Sequence, residues 1–253
     1  MKGVDMYGWR GSIGFICPAI SDTVLLEYYR VMPEGVLITT VDLKIQNLVE
    51  NELEAAVTRI EEAVRILQYE QVQIFVVGGT PPITRMGLEA DRQIIERIET
   101  LTGKPATTEP TFEVEALRSL SCKRIAVVSP FPEGVNKKMN AYYEHAGLEV
   151  AVLKELGIVK PGDIAKQRFN ASYLAAREAF RDANGKVDAV FIACPRWPVV
   201  RNIGPLEKEL GVPVVTSAQA AVWKSLRMLG INEAPAGFGR LFAGFDTARA
   251  AMM

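Results

Sequence analysis

The chain has 253 residues, of which 49% are hydrophobic and 23% are charged. Its 29 lysine and arginine residues against 30 acidic residues give a formal net charge of −1, so no basic excess favours nucleic acid or an anionic membrane as a partner. No apolar run approaches the roughly 18 residues of a membrane span, and the early run at 13–17 is too short for a signal-peptide core. We therefore expect a cytoplasmic protein with one large domain or two of about 120 residues.

Cysteine and histidine usage narrows the possible chemistry. The three cysteines, Cys17, Cys122 and Cys194, show no CxxC spacing, and an odd number in a reducing cytosol predicts free thiols. The single histidine, His145, lies in a polar helical stretch and is expected at the surface near a helix C terminus. A histidine-rich zinc site is therefore excluded, and no standard nucleotide-binding loop is present. We predict neither a metal nor a cofactor.

In chain order, short runs rich in β-branched residues alternate with helical stretches, and this succession of strands and helices occurs twice. The first half predicts strands at 12–17, 36–41, 73–77 and 104–108, with helices at 49–67 and 91–101. The second half predicts strands at 124–128, 148–153, 188–193 and 212–216, with helices at 171–182 and 218–229.

The two halves also resemble each other in detail. The segment ETLTGKPATTEPTFEVEALRSL is similar to EKELGVPVVTSAQAAVWKSLRML, and both run from a helix end through Gly, Pro and a strand into a helix. Buried strands that alternate with helices predict an α/β fold with parallel sheets. We expect two similar Rossmann-like domains related by a pseudo-two-fold axis, with the active site in the cleft between them. The first would comprise 1–118, completed by 218–253, and the second 119–217.

Distinctive residues follow the predicted strands, where ligands bind in open parallel sheets. These are Cys17 and Pro18, Gly78 to Pro82, Ser129 to Phe131, and Cys194 to Trp197. Gly79 and Cys194 follow the third strand of each half, so they should occupy equivalent positions and flank one cleft.

Cys194 is the strongest candidate for chemistry. A thiol has an ordinary pKa near about 8.5, so it can give or take a proton at neutral pH, for instance at a carbon next to a carboxylate. Cys17 is expected to line the site without a chemical role, and Cys122 to be a packing residue.

An anion-binding group is expected around Gly79 and Thr80, because glycine permits close approach of its N–H and threonine adds a hydroxyl. Pro81 and Pro82 donate no N–H. Arg85 and Arg196 are candidates to hold a carboxylate in a bidentate manner. Trp197 fits the core and the pocket wall equally well.

These motifs resemble the aspartate/glutamate racemase superfamily. The resemblance lies in the repeated layout, the cysteine after the third strand of the second half, and the segments GVPVVTSAQAAVWKSLR and GFGRLF. It runs from IGFICP to GFGRLF and favours the arylmalonate decarboxylase and maleate isomerase branch.

The resemblance implies roles for particular residues. Racemases and maleate isomerases of this kind carry two facing cysteines, whereas the decarboxylase has Gly at the first position, as this chain does at Gly79. In the family, Gly79 and Thr80 would hold the spectator carboxylate. The chain departs from the decarboxylase pattern, with Pro81 for Ser, Phe131 for Tyr, and Pro-Arg for Gly-Gly. The substrate-binding residues assigned in this way are Pro18, Gly79, Thr80, Pro81, Ser129, Phe131, Pro195 and Arg196.

Three functions follow as hypotheses. The first is a cofactor-independent decarboxylase of a 2-substituted (aryl)malonate-like diacid, in which the Cys194 thiol protonates the enediolate. The second is a maleate cis-trans isomerase or a racemase-family enzyme that uses Cys194 as nucleophile or base. The third is a non-catalytic protein that binds a small diacid. The first needs a protonated Cys194, which the positive charge of Arg196 opposes. Substrate identity, stereochemistry and oligomeric state are left open.

Overall fold

The computed structural model describes residues 7–248 and contains two four-stranded parallel sheets with the same strand order. The first sheet has the order β2-β1-β3-β4 and the second β6-β5-β7-β8. The strands are β1 Gly11–Cys17, β2 Val36–Asp42, β3 Ile74–Val77, β4 Ala106–Thr108, β5 Arg124–Ser129, β6 Glu149–Glu155, β7 Ala189–Ile192 and β8 Val214–Thr216. All eight predicted strands are present, and the predicted α/β fold with two similar parallel-sheet units is confirmed.

Helices connect the strands in both units. They are α1 Thr23–Val31, α2 Glu50–Thr58, α3 Ile60–Gln68, α4 Thr80–Thr84, α5 Leu88–Thr102, α6 Glu109–Ser119, α7 Glu133–His145, α8 Pro161–Ala165, α9 Phe169–Asp182, α10 Ile203–Leu210 and α11 Ser217–Met228. A short parallel pair, β9 Glu233–Pro235 and β10 Asp246–Ala248, completes the described part. None of the helices within 7–248 combines the length and apolar character that crossing a bilayer requires.

The helix predicted at 49–67 is two helices, and the reason is local. In a continuous helix the Ala55 carbonyl would accept the N–H of Arg59. Instead it accepts the Thr58 hydroxyl at 2.9 Å and the Arg59 Nε at 3.0 Å. The Arg59 N–H donates to the carbonyl of Ala56, the residue after Ala55, instead. The first helix therefore ends at this point.

Helix α1 was not predicted. The Asp22 carboxylate caps it by accepting the Thr23 N–H, and Val24, Tyr28 and Val31 form its buried face at helical spacing. It packs against α11, which also packs against α6. The C-terminal helix therefore contacts elements of the first half. The domain boundaries remain a prediction, and their ends at 1–6 and 249–253 lie outside the described residues.

The structure also locates the single histidine and the three cysteines. His145 is the last residue of α7 and is exposed, as expected. Cys17, Cys122 and Cys194 are buried free thiols. Between residues 7 and 248, no group of three His, Cys, Asp or Glu side chains is arranged to hold a metal ion.

Candidate active site

A small cavity of about 50 Å³ lies where the strand ends of the two halves meet, and its walls are almost wholly apolar. Seven of the nine predicted site residues line it: Pro18, Gly79, Pro81, Phe131, Cys194, Pro195 and Arg196. Thr80 and Ser129 are fully buried and do not line it. Cys17 also contributes to the wall.

Gly79 and Cys194 occupy equivalent positions, each two residues beyond the third strand of its sheet. Both have a left-handed backbone, with φ of 105° at Gly79 and 78° at Cys194. For a non-glycine residue this conformation costs about 1–3 kcal/mol and persists only where the surroundings impose it. Here the Cys194 N–H donates to the Ser217 hydroxyl at 2.9 Å.

Helix α1 of the first half holds the turn that follows Cys194. The Arg196 guanidinium donates to the two carboxylate oxygens of Asp22 at 2.9 and 2.6 Å. The buried Glu27 carboxylate accepts the N–H groups of Val199 and Val200, both at 2.8 Å. Arg196 is therefore paired, and its charge is not a free anion-binding group. Trp197 is fully buried and belongs to the core rather than to the cavity wall.

The Cys194 thiol stays protonated at neutral pH. Burial, followed by the nearby Glu109 carboxylate, raises its pKa to about 12. The backbone N–H groups of Arg196 and Trp197 and the charge of Arg196 lower this pKa by less. Because Arg196 is paired with Asp22, the conflict expected between this arginine and a protonated thiol is small.

The residue that sequence reasoning missed is Glu109, the first residue of α6, which is buried and belongs to the cavity wall. It accepts the Gly79 N–H at 2.5 Å and the Thr80 hydroxyl at 3.0 Å. The donors predicted to hold a substrate carboxylate are thus engaged by a carboxylate of the protein. The sequence repeat could have indicated this role, because Glu109 aligns with Ser217. Ser217 accepts the N–H of Cys194, and Glu109 makes the equivalent contact to the N–H of Gly79.

A second buried carboxyl, Glu113, lies one helical turn further along α6. It accepts the Ser217 hydroxyl at 2.5 Å and the Tyr143 hydroxyl at 2.7 Å. The Thr80 oxygen lies 3.0 Å from both Glu109 and Glu113, yet a hydroxyl carries one proton to donate.

The carboxyl pair must therefore hold a proton, because two buried carboxylates cannot both be ionised at this separation. Among the described residues, no lysine or arginine forms a salt bridge with either. Burial and the charge of Glu109 raise the pKa of Glu113 well above its ordinary value. Burial raises the pKa of Glu109 from 4.5 to about 7. Glu113 is thus the neutral partner that donates to Thr80, and Glu109 titrates near neutrality.

Comparison with known proteins identifies the family. A profile of the arylmalonate decarboxylase family matches residues 13–242. The chain belongs to this family. It is 27% identical to an arylmalonate decarboxylase from Bordetella bronchiseptica over 237 residues, covering 91% of this chain and 96% of the relative. It is 26% identical to a maleate isomerase from Pseudomonas putida over 244 residues, covering 92% and 97%.

The fold agrees with this assignment. A crystal structure of a double mutant of arylmalonate decarboxylase in its liganded form superposes with a TM-score of 0.87 at 24% identity, covering 92% of this chain and 98% of that one. The resemblance to the decarboxylase and isomerase branch is confirmed. The relatives include both decarboxylases and isomerases, so the family is one of enzymes that act on small diacids.

Two other predicted residues of this family member lie away from the cavity. The Ser129 hydroxyl donates to the Asn136 side chain at 2.6 Å and accepts the Phe131 N–H at 3.1 Å, so it shapes the turn that places Phe131 on the wall. Arg85 forms an ion pair with Glu50 and lines a separate groove of about 530 Å³.

The pH dependence of stability tests the protonation of Glu109. Its pKa is about 7 when folded and 4.5 in the ordinary unfolded reference, so its contribution is fully present below 4.5 and is lost as pH rises through 7. The difference corresponds to about 3 kcal/mol. Between pH 4.5 and pH 8 the unsubstituted protein should lose this contribution to its free energy of unfolding, whereas Glu109→Gln should not. The difference in free energy of unfolding, variant minus unsubstituted protein, should therefore rise by about this amount when it is measured by urea denaturation. A pH-independent difference would contradict the assignment.

Proposed function

We propose that this member of the arylmalonate decarboxylase family is a cofactor-independent decarboxylase of a 2-substituted (aryl)malonate-like diacid. The observation that carries the proposal is the Cys194 thiol, which is buried at the cavity wall and held protonated by its surroundings. A protonated thiol is the form that delivers a proton to a carbanion, whereas a nucleophilic role needs the thiolate.

The reaction needs one bond cleavage and one protonation. One carboxylate of the substrate lies against apolar wall, where loss of its hydration favours departure as neutral CO₂. The electron pair of the broken C–C bond passes to the α-carbon and delocalises into the remaining carboxylate as an enediolate. The Cys194 S–H then transfers its proton to that carbon, and the resulting thiolate regains a proton from water.

The remaining carboxylate would lie beside Gly79 and Glu109, which both belong to the cavity wall. An ionised Glu109 repels it, whereas a protonated Glu109 leaves the cavity without that charge and can donate a hydrogen bond. We therefore expect kcat/KM for a malonate to be constant below the pKa of Glu109, at about 7, and to fall about tenfold per pH unit above it. A profile that rises through this range would contradict the proposed role of Glu109 in binding the diacid.

Substrate entry requires the cavity to open, because about 50 Å³ is room for only a few water molecules, whereas ligand pockets occupy about 300–1,000 Å³. Leu48 and Ile164 belong to the wall, and a single hydrogen bond from the Leu48 N–H to the Val159 carbonyl, 2.8 Å long, joins the two halves beside them. Beyond Leu48 and Pro81 lies the larger groove, which shares both residues as wall.

The test is conversion in D₂O followed by NMR, at pH 6, with phenylmalonate, methylphenylmalonate and maleate as separate substrates. Deuterated monoacid from either malonate supports the proposal. Turnover of neither malonate, with or without tight binding, would contradict it.

The second candidate is a maleate cis-trans isomerase, which the similarity to the Pseudomonas putida enzyme favours. In that reaction Cys194 would add to the double bond as a thiolate. The same NMR experiment would then yield fumarate from maleate, and mass spectrometry would detect a covalent adduct on Cys194.

A further inference from the structure

The cavity wall includes Glu109 from the first half and Cys194 from the second, and both side chains can transfer a proton. We propose that Glu109 is the second proton-transfer residue and that it removes the α-proton of a 2-substituted monocarboxylic acid bound between it and Cys194. The enzyme would then exchange and invert the α-hydrogen of the monoacid that decarboxylation produces. This inference rests on the proposed site, and it adds an activity that decarboxylation does not require.

The placement of Glu109 follows from the pseudo-two-fold arrangement. Its carboxylate accepts the N–H of Gly79, the residue equivalent to Cys194, so Glu109 lies beside the cavity position related by symmetry to Cys194. In the second half the residue equivalent to Glu109 is Ser217, whose shorter side chain accepts the Cys194 N–H and does not line the cavity. The first half thus adds Glu109 to the cavity wall, and the second half adds Cys194.

The hydrogen bonds leave Glu109 able to accept a proton. Its two oxygens receive the Gly79 N–H and the Thr80 hydroxyl, and the Thr80 backbone N–H also donates to this carboxylate. Two carboxylate oxygens together offer four acceptor positions, so one position remains for a substrate hydrogen. The proton held by Glu113 fixes the direction of the Thr80 hydroxyl toward Glu109.

The two groups differ in protonation as an acid and a base should. Glu109 has a pKa of about 7 and Cys194 of about 12, so near neutrality the first is available as base and the second as acid.

The groups around Glu109 do not change charge in this range. Its ionisable neighbours are Tyr28 from α1, Cys17 at the end of β1, Tyr143 from α7 and Glu113, and each has its pKa raised, chiefly by burial. Arg196 is paired with Asp22. An exchange rate that changes near pH 7 would therefore report Glu109.

The step balances without any co-reactant. The α-C–H bond breaks, its proton moves to a Glu109 oxygen, and the electron pair enters the substrate carboxylate as an enediolate. The Cys194 S–H bond then breaks and its proton forms a new C–H bond on the opposite face. Glu109 loses its proton to water and the thiolate gains one, which restores the starting state.

The two reactions should respond oppositely to pH. Decarboxylation of a diacid needs the neutral form of Glu109, whereas proton removal needs the ionised form. The rate of exchange at saturating monoacid should therefore rise to a plateau above the pH at which kcat/KM for decarboxylation begins to fall, with the same apparent midpoint for both curves.

The experiment measures both reactions in D₂O from pH 5.5 to 8.5. One enantiomer of 2-phenylpropionate reports α-deuteration and inversion, and methylphenylmalonate reports decarboxylation. We expect Glu109→Gln to lower exchange at least about 100-fold and to abolish the alkaline fall of decarboxylation. Glu115→Gln is the matched control on the same helix, where Glu115 pairs with Lys224 and is partly exposed. It should follow the unsubstituted enzyme in both reactions.

The possible outcomes separate the two proposals. Decarboxylation without exchange, or exchange that Glu109→Gln retains, overturns the inference and leaves the proposed function. Exchange without decarboxylation overturns the proposed function and leaves the inference. Absence of both reactions overturns both. If circular dichroism shows that Glu109→Gln is unfolded, the two pH curves of the unsubstituted enzyme decide, and parallel curves overturn the inference.

Discussion

Replacing Cys194 with alanine should lower kcat for malonate decarboxylation by about 10³-fold, because a positioned proton donor contributes about 10²–10⁴ in rate. The alanine keeps a small apolar side chain on the wall, so the KM for the malonate should change little. Substrate consumption and product formation followed by NMR would give both constants. Full turnover by Cys194→Ala would contradict the proposed mechanism.

Two other cysteines provide matched controls for this substitution. Cys122 is buried but lies outside the cavity, and its sulfur contacts the Leu120 and Asp188 carbonyls. Cys122→Ala should leave the rate unchanged. Cys17 lines the cavity and burial raises its pKa well above the ordinary value, so Cys17→Val tests whether a second thiol takes part. A loss equal to that of Cys194→Ala would assign chemistry to Cys17.

Replacing Gly79 with alanine should destabilise the protein by about 3 kcal/mol or more. The φ of 105° is unfavourable for any side chain, and an added Cβ would lie 2.9 Å from both Pro18 Cβ and Pro82 Cγ. Proline rings cannot rotate away as a flexible side chain would. The free energy of unfolding from urea denaturation would measure the loss.

Gly103 separates the backbone cost from the steric cost. It also has a positive φ, of 66°, but a Cβ there would meet nothing within 4 Å. Gly103→Ala should therefore cost only about 1 kcal/mol. Equal losses of stability at the two positions would show that Pro18 and Pro82 move aside to accommodate the added Cβ.

The regular elements and their repetition could be predicted from the sequence, because they depend on local patterns. Short β-branched runs bounded by Gly and Pro marked every strand of the two sheets. The repeat aligned Gly79 with Cys194, and the structure gives both the same position and backbone conformation. The family resemblance, which rests on such ordered motifs, was also confirmed.

Local pattern did not predict the buried carboxyl pair of Glu109 and Glu113. A glutamate that opens a helix is usually a solvated residue that favours the helix dipole, so Glu109 carried no local sign of burial. It lines the cavity because α6 begins where the two halves meet, and Thr80 lies between its carboxyl group and that of Glu113.

The ion pair between Arg196 and Asp22 could not be predicted either, because the two residues lie 174 positions apart in the chain. The sequence by itself determined the eight sheet strands, their alternation with helices and the position of Cys194 after the third strand of the second half, since hydrophobic periodicity and turn residues act over a few neighbours. Only the tertiary structure decided which carboxyl group lies near that thiol and which charge is neutralised. Those properties depend on burial and on partners that packing brings together from distant parts of the chain.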